Sequence, residues 1–165
     1  MTGHRFWRHL ITDEADARRT FPREALDRIE RAIAAGEATH NGQVCVVIES
    51  ALPLRRVVRK LSPRERALEV FSQMRVWDTE HNNGVLVYLL LADRDVEIVA
   101  DRGIHARVGA AAWESICQRM ERAFREGCFA EGLEGGVREV SALIAAHFPG
   151  GKDDVNELPD APVVI

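Results

Sequence analysis

Apolar and polar positions along this chain switch between two periods, and the switches mark its elements. Leu26, Ile29 and Ile33 recur at helical spacing. The preceding Phe21-Pro22-Arg23-Glu24 predicts a helix start, with Thr20 as N-cap, Pro22 in the first turn and an end near Gly36. After a His40-Asn41-Gly42 turn, Gln43 to Glu49 is β-branched and mostly apolar, the pattern of a buried strand. Residues 54–60 fit a helical turn or an extension of the strand edge. Ser62-Pro63-Arg64-Glu65 has the N-cap, the early proline and the glutamate of a capping box. Ala67, Leu68, Phe71 and Met74 or Arg75 follow at helical spacing, and the helix stops before Asn82-Asn83-Gly84. Val85 to Leu91 is apolar throughout, as a central strand covered on both faces requires. Asp93-Arg94 closes a hairpin, and Asp95 to Asp101 alternates until Gly103 breaks it. Two helices follow. One carries Trp113, Ile116, Cys117, Met120 and Phe124 and ends at Gly127; the other carries Leu133, Val137, Val140, Ile144 and Phe148 and ends at Pro149.

The first two strands are joined by a helical crossover, so they are expected to be parallel with a right-handed connection. The third returns antiparallel through its tight turn. Helices on both faces of a small mixed β-sheet give an α/β/α sandwich of three layers. The domain is expected over residues 22–149. Residues 1–21 form a helical extension before it, and the acidic, proline-containing residues 150–165 form a disordered or loosely draped tail.

Composition changes this picture little. The 165 residues are enough for one domain with a real core, and a net charge of −4 argues against a nucleic-acid partner while leaving room for a cation. No apolar stretch approaches the roughly 20 residues of a spanning helix, and the start, MTGHRFWRHL, lacks a signal-peptide apolar region, so a cytoplasmic location is expected. Cys45, Cys117 and Cys128 show no metal or disulfide spacing, and the first two fall on apolar core patterns. The basic-aromatic segment 4–11 is expected to dock on the core. Phe6 and Trp7, with Arg5 and Arg8, are its candidate contacts to a membrane or a protein partner.

The run NNGVLVYLLLADRDVEIVADRGI, from Asn82 to Ile104, resembles the core signature of the TPM domain, named for a thylakoid protein, a photosystem II repair protein and a nematode receptor modulator. In that family an Asn-Gly step precedes an apolar strand, and an Asp-Arg turn leads to a charged strand ending in a Gly-aromatic-Gly step. FAEGLEGGVREV, residues 129–140, is similar to the family's glycine-punctuated last helix, so the likeness covers roughly residues 22–148. Here the Gly-aromatic-Gly step reads Asp101-Arg102-Gly103, with a carboxylate in place of the first glycine. The resemblance implies an α/β/α sandwich and binding of a divalent cation, usually calcium, in some members, so calcium or magnesium is the expected ion. It also implies a weak acid phosphatase activity in plant members. Many bacterial members are exported and membrane-anchored; this chain resembles a short, soluble bacterial branch.

The predicted topology gathers polar residues at two sheet ends. One holds His40, Asn41, Asn82, Asn83, Asp101 and Arg102; the other holds Glu49, Ser50, Asp93, Arg94 and Asp95. Carboxylate, carboxamide and carbonyl oxygens are what Ca²⁺ accepts, so Asp78, Glu80, Asn82, Asn83 and Asp101 are candidate ligands at the first end. Asn-Asn-Gly is equally a plain turn, whose residues tolerate positive φ. At the second end Glu49, Asp93 and Asp95 are the alternative metal site, since ligands of open α/β sheets gather at the carboxyl ends of parallel strands. His81 and His105 flank the hairpin without paired metal spacing, no serine lies in a GxSxG elbow and no P-loop occurs, so no organic cofactor is expected. The leading expectation is a non-enzymatic binding or assembly module; the rivals are a weak metal-dependent phosphatase and a peripheral membrane-associated protein.

Overall fold

The computed structural model describes residues 2–150 and 155–165. Among the described residues eight α-helices and four strands follow one another: α1 (Thr2–Ile11), α2 (Glu14–Thr20), α3 (Arg23–Glu37), β1 (Gln43–Glu49), α4 (Leu54–Val58), α5 (Pro63–Gln73), β2 (Gly84–Leu90), β3 (Asp95–Ala100), α6 (Arg102–Val108), α7 (Ala110–Arg125), α8 (Phe129–His147) and β4 (Val163–Val164). The sheet order is β3-β2-β1-β4. β1 pairs parallel with β2 and with β4, and β2 pairs antiparallel with β3.

Strand alternation makes the three layers. On β1 and β2, Val44, Val46, Ile48, Val85, Val87 and Leu89 face one way, onto α3, α7 and α8. Cys45, Val47, Leu86, Tyr88 and Leu90 face the other, onto Val57 of α4 and Ala67 and Val70 of α5. Both central strands are therefore buried on both faces, which is why their sequences read as continuous apolar runs. Burial, then the charge of Glu37, pushes the Cys45 thiol up to about 11, and burial, then Glu97, pushes Cys117 up to about 12.

Three sequence expectations need correction. Thr20 is the last residue of α2 and does not cap α3; Pro22 takes the N-cap position, and the side-chain cap belongs to Asp13 of α2. The Gly103 break is the first turn of a helix, α6, begun by Asp101. The end of the chain is a strand, because the outer edge of β1 leaves backbone groups that residues 163–165 satisfy. Ile165 N donates to Ile48 O at 2.8 Å, and Ser50 N donates to Ile165 O at 2.9 Å. Upstream, Leu158 is buried and the Gln43 side-chain carbonyl accepts from the amides of Glu157 and Leu158. The expectation for residues 151–154 of the tail lies outside the described residues.

Candidate functional site

The carboxyl ends of the parallel strands are closed by the protein's own cations. Glu49, at the end of β1, accepts from Tyr88 Oη at 2.7 Å and from Arg66 Nε at 2.8 Å, with Arg66 Nη2 at 3.2 Å. Burial, then the Glu49 charge, drives the Tyr88 phenol far above its usual range. Asp93, in the turn after β2, is met by α1: Arg5 Nε lies at 2.9 Å, Arg8 Nη2 at 3.0 Å and His9 Nε2 at 3.2 Å. Burial by itself would raise the Asp93 pKa, but His9 and Arg5 outweigh it and hold the carboxyl below the usual carboxylate range. Two of the three alternative metal ligands are thus engaged as anions of buried ion pairs.

The third, Asp95, is different. Its Oδ1 is buried without a hydrogen-bond partner. Burial, then the negative charges of Glu97, Glu121 and Asp93, pushes its carboxyl up to about 7, from an ordinary value of 3.8. The folded protein therefore holds a proton that the unfolded chain has already released, and stability falls as pH rises from about 4 to about 7, then levels. Asp95→Asn is expected to remove that slope and to stabilise the protein by about 1–2 kcal/mol at pH 8, a figure discounted for partial exposure. Urea titrations of both proteins from pH 4 to pH 8 check this. Parallel stability curves would contradict it.

The opposite end is built from the starts of β1 and β2 and the end of β3. Gln43 N donates to Asn83 O at 3.2 Å and Asp101 N donates to Gly84 O at 2.9 Å, so the backbone holds Asn83 and Asp101 on neighbouring strands. Asn83 is 2% exposed; its amide donates to Thr79 Oγ1 at 3.1 Å and its Nδ2 donates to Asn41 O. Those bonds orient the carboxamide, and its Oδ1 has no partner. Asp101 is 8% exposed, and its Oδ1 accepts from Arg102 N at 2.7 Å, starting α6. Its Oδ2 likewise has no partner. Buried acceptors are almost always satisfied, so two unsatisfied oxygens on the residues that flank Gly84 in the sheet mark a place where a donor or a cation belongs.

Backbone oxygens lie close by. Asn82 adopts a left-handed conformation (φ 52°), which carboxamide side chains tolerate. A Cβ on Gly103 would fall 2.8 Å from Asn82 O and 3.6 Å from His81 O, so the glycine leaves a cradle of carbonyl oxygen beside Asp101. Asn82, Asn83 and Asp101 lie at the same end of the sheet, with Asn82 O against Gly103, Asp101 bonded to Gly84 and the Asn83 carboxamide turned to Asn41. Asp78 and Glu80 do not join them as a carboxylate cluster: among the described residues no three His, Cys, Asp or Glu side chains group to hold a metal. Asp78 pairs instead with Arg75 at 3.2 Å, and the Glu80 amide is capped by the Glu157 carboxylate. Thr79 and the carbonyls of His81 and Asn82 were missed by sequence reasoning, which placed Asn41 at this end without its carbonyl's bond to Asn83. Only the left-handed tolerance of Asn-Asn-Gly hinted at the backbone oxygens.

A family model described as the TPM domain matches residues 14–143. The chain belongs to the TPM domain family. The TPM fold is also what the solved structures share with it. The BA42 protein from the psychrophilic bacterium Bizionia argentinensis, determined by NMR, is 28% identical with a TM-score of 0.75, covering 86% of this chain and 93% of that one. The N-terminal domain of a protein from P. gingivalis, also solved by NMR, is 24% identical with a TM-score of 0.58 over 72% of each chain, a likeness of fold alone. Among curated proteins none matches. Within this TPM domain the signature run spans both ends described above: the Asp-Arg turn supplies Asp93, whose carboxylate receives α1, and the Asp-Arg-Gly step supplies Asp101 and the Gly103 cradle. No described helix is long and apolar enough to cross a membrane.

Proposed function

We propose that the protein is a non-enzymatic TPM binding module whose Asn83–Asp101 end takes a divalent cation, calcium in preference to magnesium. The observation that carries this reading is the pair of buried, unpartnered oxygens, Asn83 Oδ1 and Asp101 Oδ2. The donor chemistry fits: one carboxylate oxygen, one carboxamide oxygen and the nearby carbonyls of Asn82 and His81 are hard ligands. A bound cation would supply the positive charge that these acceptors lack and would tie the loop before β2 to the start of α6. Calcium tolerates irregular oxygen sets that magnesium's strict octahedron does not. A single carboxylate makes the site weak, with Kd of about 10⁻⁴–10⁻³ M, the range of low-charge calcium modules.

At about 10 mM Ca²⁺ the protein is expected to gain about 1.5–3 kcal/mol of stability, because a ligand that binds only the native state stabilises it by mass action. Asp101→Asn keeps an oxygen to begin α6 but removes the charge, and is expected to lose most of that gain. Denaturant midpoints with and without Ca²⁺ read it out. Equal calcium stabilisation of the wild type and Asp101→Asn would place the cation elsewhere, and none in either would remove it.

A further inference from the structure

Helix α1 turns its polar side inward. Arg5 and Arg8 reach Asp93, and His9 Nδ1 accepts from Leu52 N at 2.9 Å. Phe6 is the one large apolar residue of the helix that packs against the core. Phe6, Arg5 and Arg8 are therefore committed to the fold and are not the free contacts that the sequence suggested. What remains outward is apolar: Trp7 is 62% exposed, Leu10 47% and Ile11 70%. With Gly3 and His4, also exposed, they form one row at helical spacing.

This row does not stand alone. Arg5 Nη2 donates to Leu61 O at 2.8 Å, while His9 receives the amide of Leu52, so α1 lies antiparallel beside α4. The outer side of α4 and its C-terminal turn presents Arg55, Val58, Arg59 and Lys60, all exposed, with Val58 at 66%. Arg56 is paired with Glu69, but Arg55, Arg59 and Lys60 have no ion-pair partner among the described residues. These cations line a shallow basin of about 490 Å³ with Leu61, Glu65 and Glu69; Glu69 is taken by Arg56 and Arg66, and Glu65 caps Ser62. A chain of net charge −4 thus carries three cations without an ion-pair partner on α4 and its C-terminal turn, and the helix packed beside α4 bears its most exposed tryptophan and isoleucine.

We propose that the α1–α4 face docks on an anionic lipid surface. Trp7, Leu10, Ile11 and Val58 would sit at the boundary between headgroups and acyl chains, and Arg55, Arg59 and Lys60 would meet the lipid phosphates. Binding of this kind grows with buried apolar area and with attraction to anionic lipid. In a two-fold pairing of copies this patch would meet itself and bring Arg55, Arg59 and Lys60 onto like charges, whereas anionic lipid phosphates complement them. The lipid face is independent of the cation reading, since it shares no residue with Asn83 or Asp101.

The test is co-sedimentation of the full chain with phosphatidylcholine vesicles, with and without phosphatidylglycerol, at low and high salt. Phosphatidylglycerol is expected to raise partitioning by about tenfold or more, and salt to reverse the gain. Trp7→Ser with Ile11→Ser, and separately Arg59→Glu with Lys60→Glu, are each expected to abolish it. Ile11, Arg59 and Lys60 are absent from the core clusters and Trp7 meets the Phe6 ring edge-on from outside, so circular dichroism and the denaturant midpoint should stay close to wild type. Equal partitioning to both vesicle types, or anionic-vesicle binding that survives both pairs of substitutions, would overturn the proposal. So would a wild-type dimer in analytical ultracentrifugation that Trp7→Ser with Ile11→Ser dissociates, with no vesicle binding, because a second copy would then cover the face.

Discussion

Glu49→Ala is expected to lower the unfolding free energy by about 3–5 kcal/mol, the cost of removing one partner of a buried ion pair. The reason lies in what is left behind. Glu49 and Arg66 expose only 8% and 11% of their side chains, so the guanidinium cannot turn to water when its carboxylate is deleted. Arg66 retains only Glu69, 39% exposed, as an anionic contact. Tyr88, fully buried on β2, loses the acceptor of its hydroxyl as well. Glu49→Gln keeps an oxygen for Tyr88 and is expected to cost less, and Tyr88→Phe about 1 kcal/mol, the net worth of one hydrogen bond. Combining Glu49→Ala with Arg66→Ala should recover part of the loss, because no unpaired charge remains. Urea midpoints at unchanged m-value measure each step. A Glu49→Ala protein within about 1 kcal/mol of wild type would mean that Glu49 is not held by Arg66 and is free to serve as a ligand.

Gly84→Ala is expected to cost about 3 kcal/mol, at the upper end of what overpacking does. A Cβ there would fall 2.0 Å from Val76 O and 2.9 Å from Val76 Cγ1. The first neighbour is backbone, so a rotamer change cannot relieve the contact. Gly84 cannot retreat either, since it is paired with Gln43 of β1 and its carbonyl accepts from Asp101 N. Any relief must move the segment that carries Asn83 and Asp101, so this variant should also lose its response to calcium. Denaturant unfolding with and without Ca²⁺ reads both effects. Wild-type stability in Gly84→Ala would show that the Val76 loop yields freely.

The glycine of the Asn-Asn-Gly turn is thus required by packing, a constraint that the sequence could not display because Val76 is brought to it only by the fold. Other features were legible for clear reasons. Gln43 to Glu49 is read at its observed bounds, and β2 within one residue, because burial on both faces leaves an uninterrupted apolar run. The Ser62–Glu65 capping box is present because its signal is local: Ser62 Oγ takes the Glu65 amide at 3.1 Å, and Glu65 takes the Ser62 amide at 2.8 Å. The misses are long-range. α1 meets Asp93 across more than eighty residues, and β4 pairs with β1 from the far end of the chain, through contacts without sequence periodicity. α6 is one short helix whose only cue was an aspartate before Arg-Gly. The two sheet ends looked equivalent in sequence, as collections of carboxylates and carboxamides. What separates them is which oxygens already have partners: Glu49 and Asp93 do, and the one orphan there, on Asp95, belongs to a carboxyl that burial pushes up to about 7, while one oxygen each on Asn83 and Asp101 has none.

The central claim is that this difference in partnering marks a cation site. Its most direct test is a Ca²⁺ titration of metal-stripped protein followed by amide NMR shifts. The account predicts saturable shifts confined to residues 79–84 and 101–104, with Kd of about 10⁻⁴–10⁻³ M, and their loss in Asp101→Asn. Shifts centred on residues 49–50 and 93–95, or none anywhere, would contradict it.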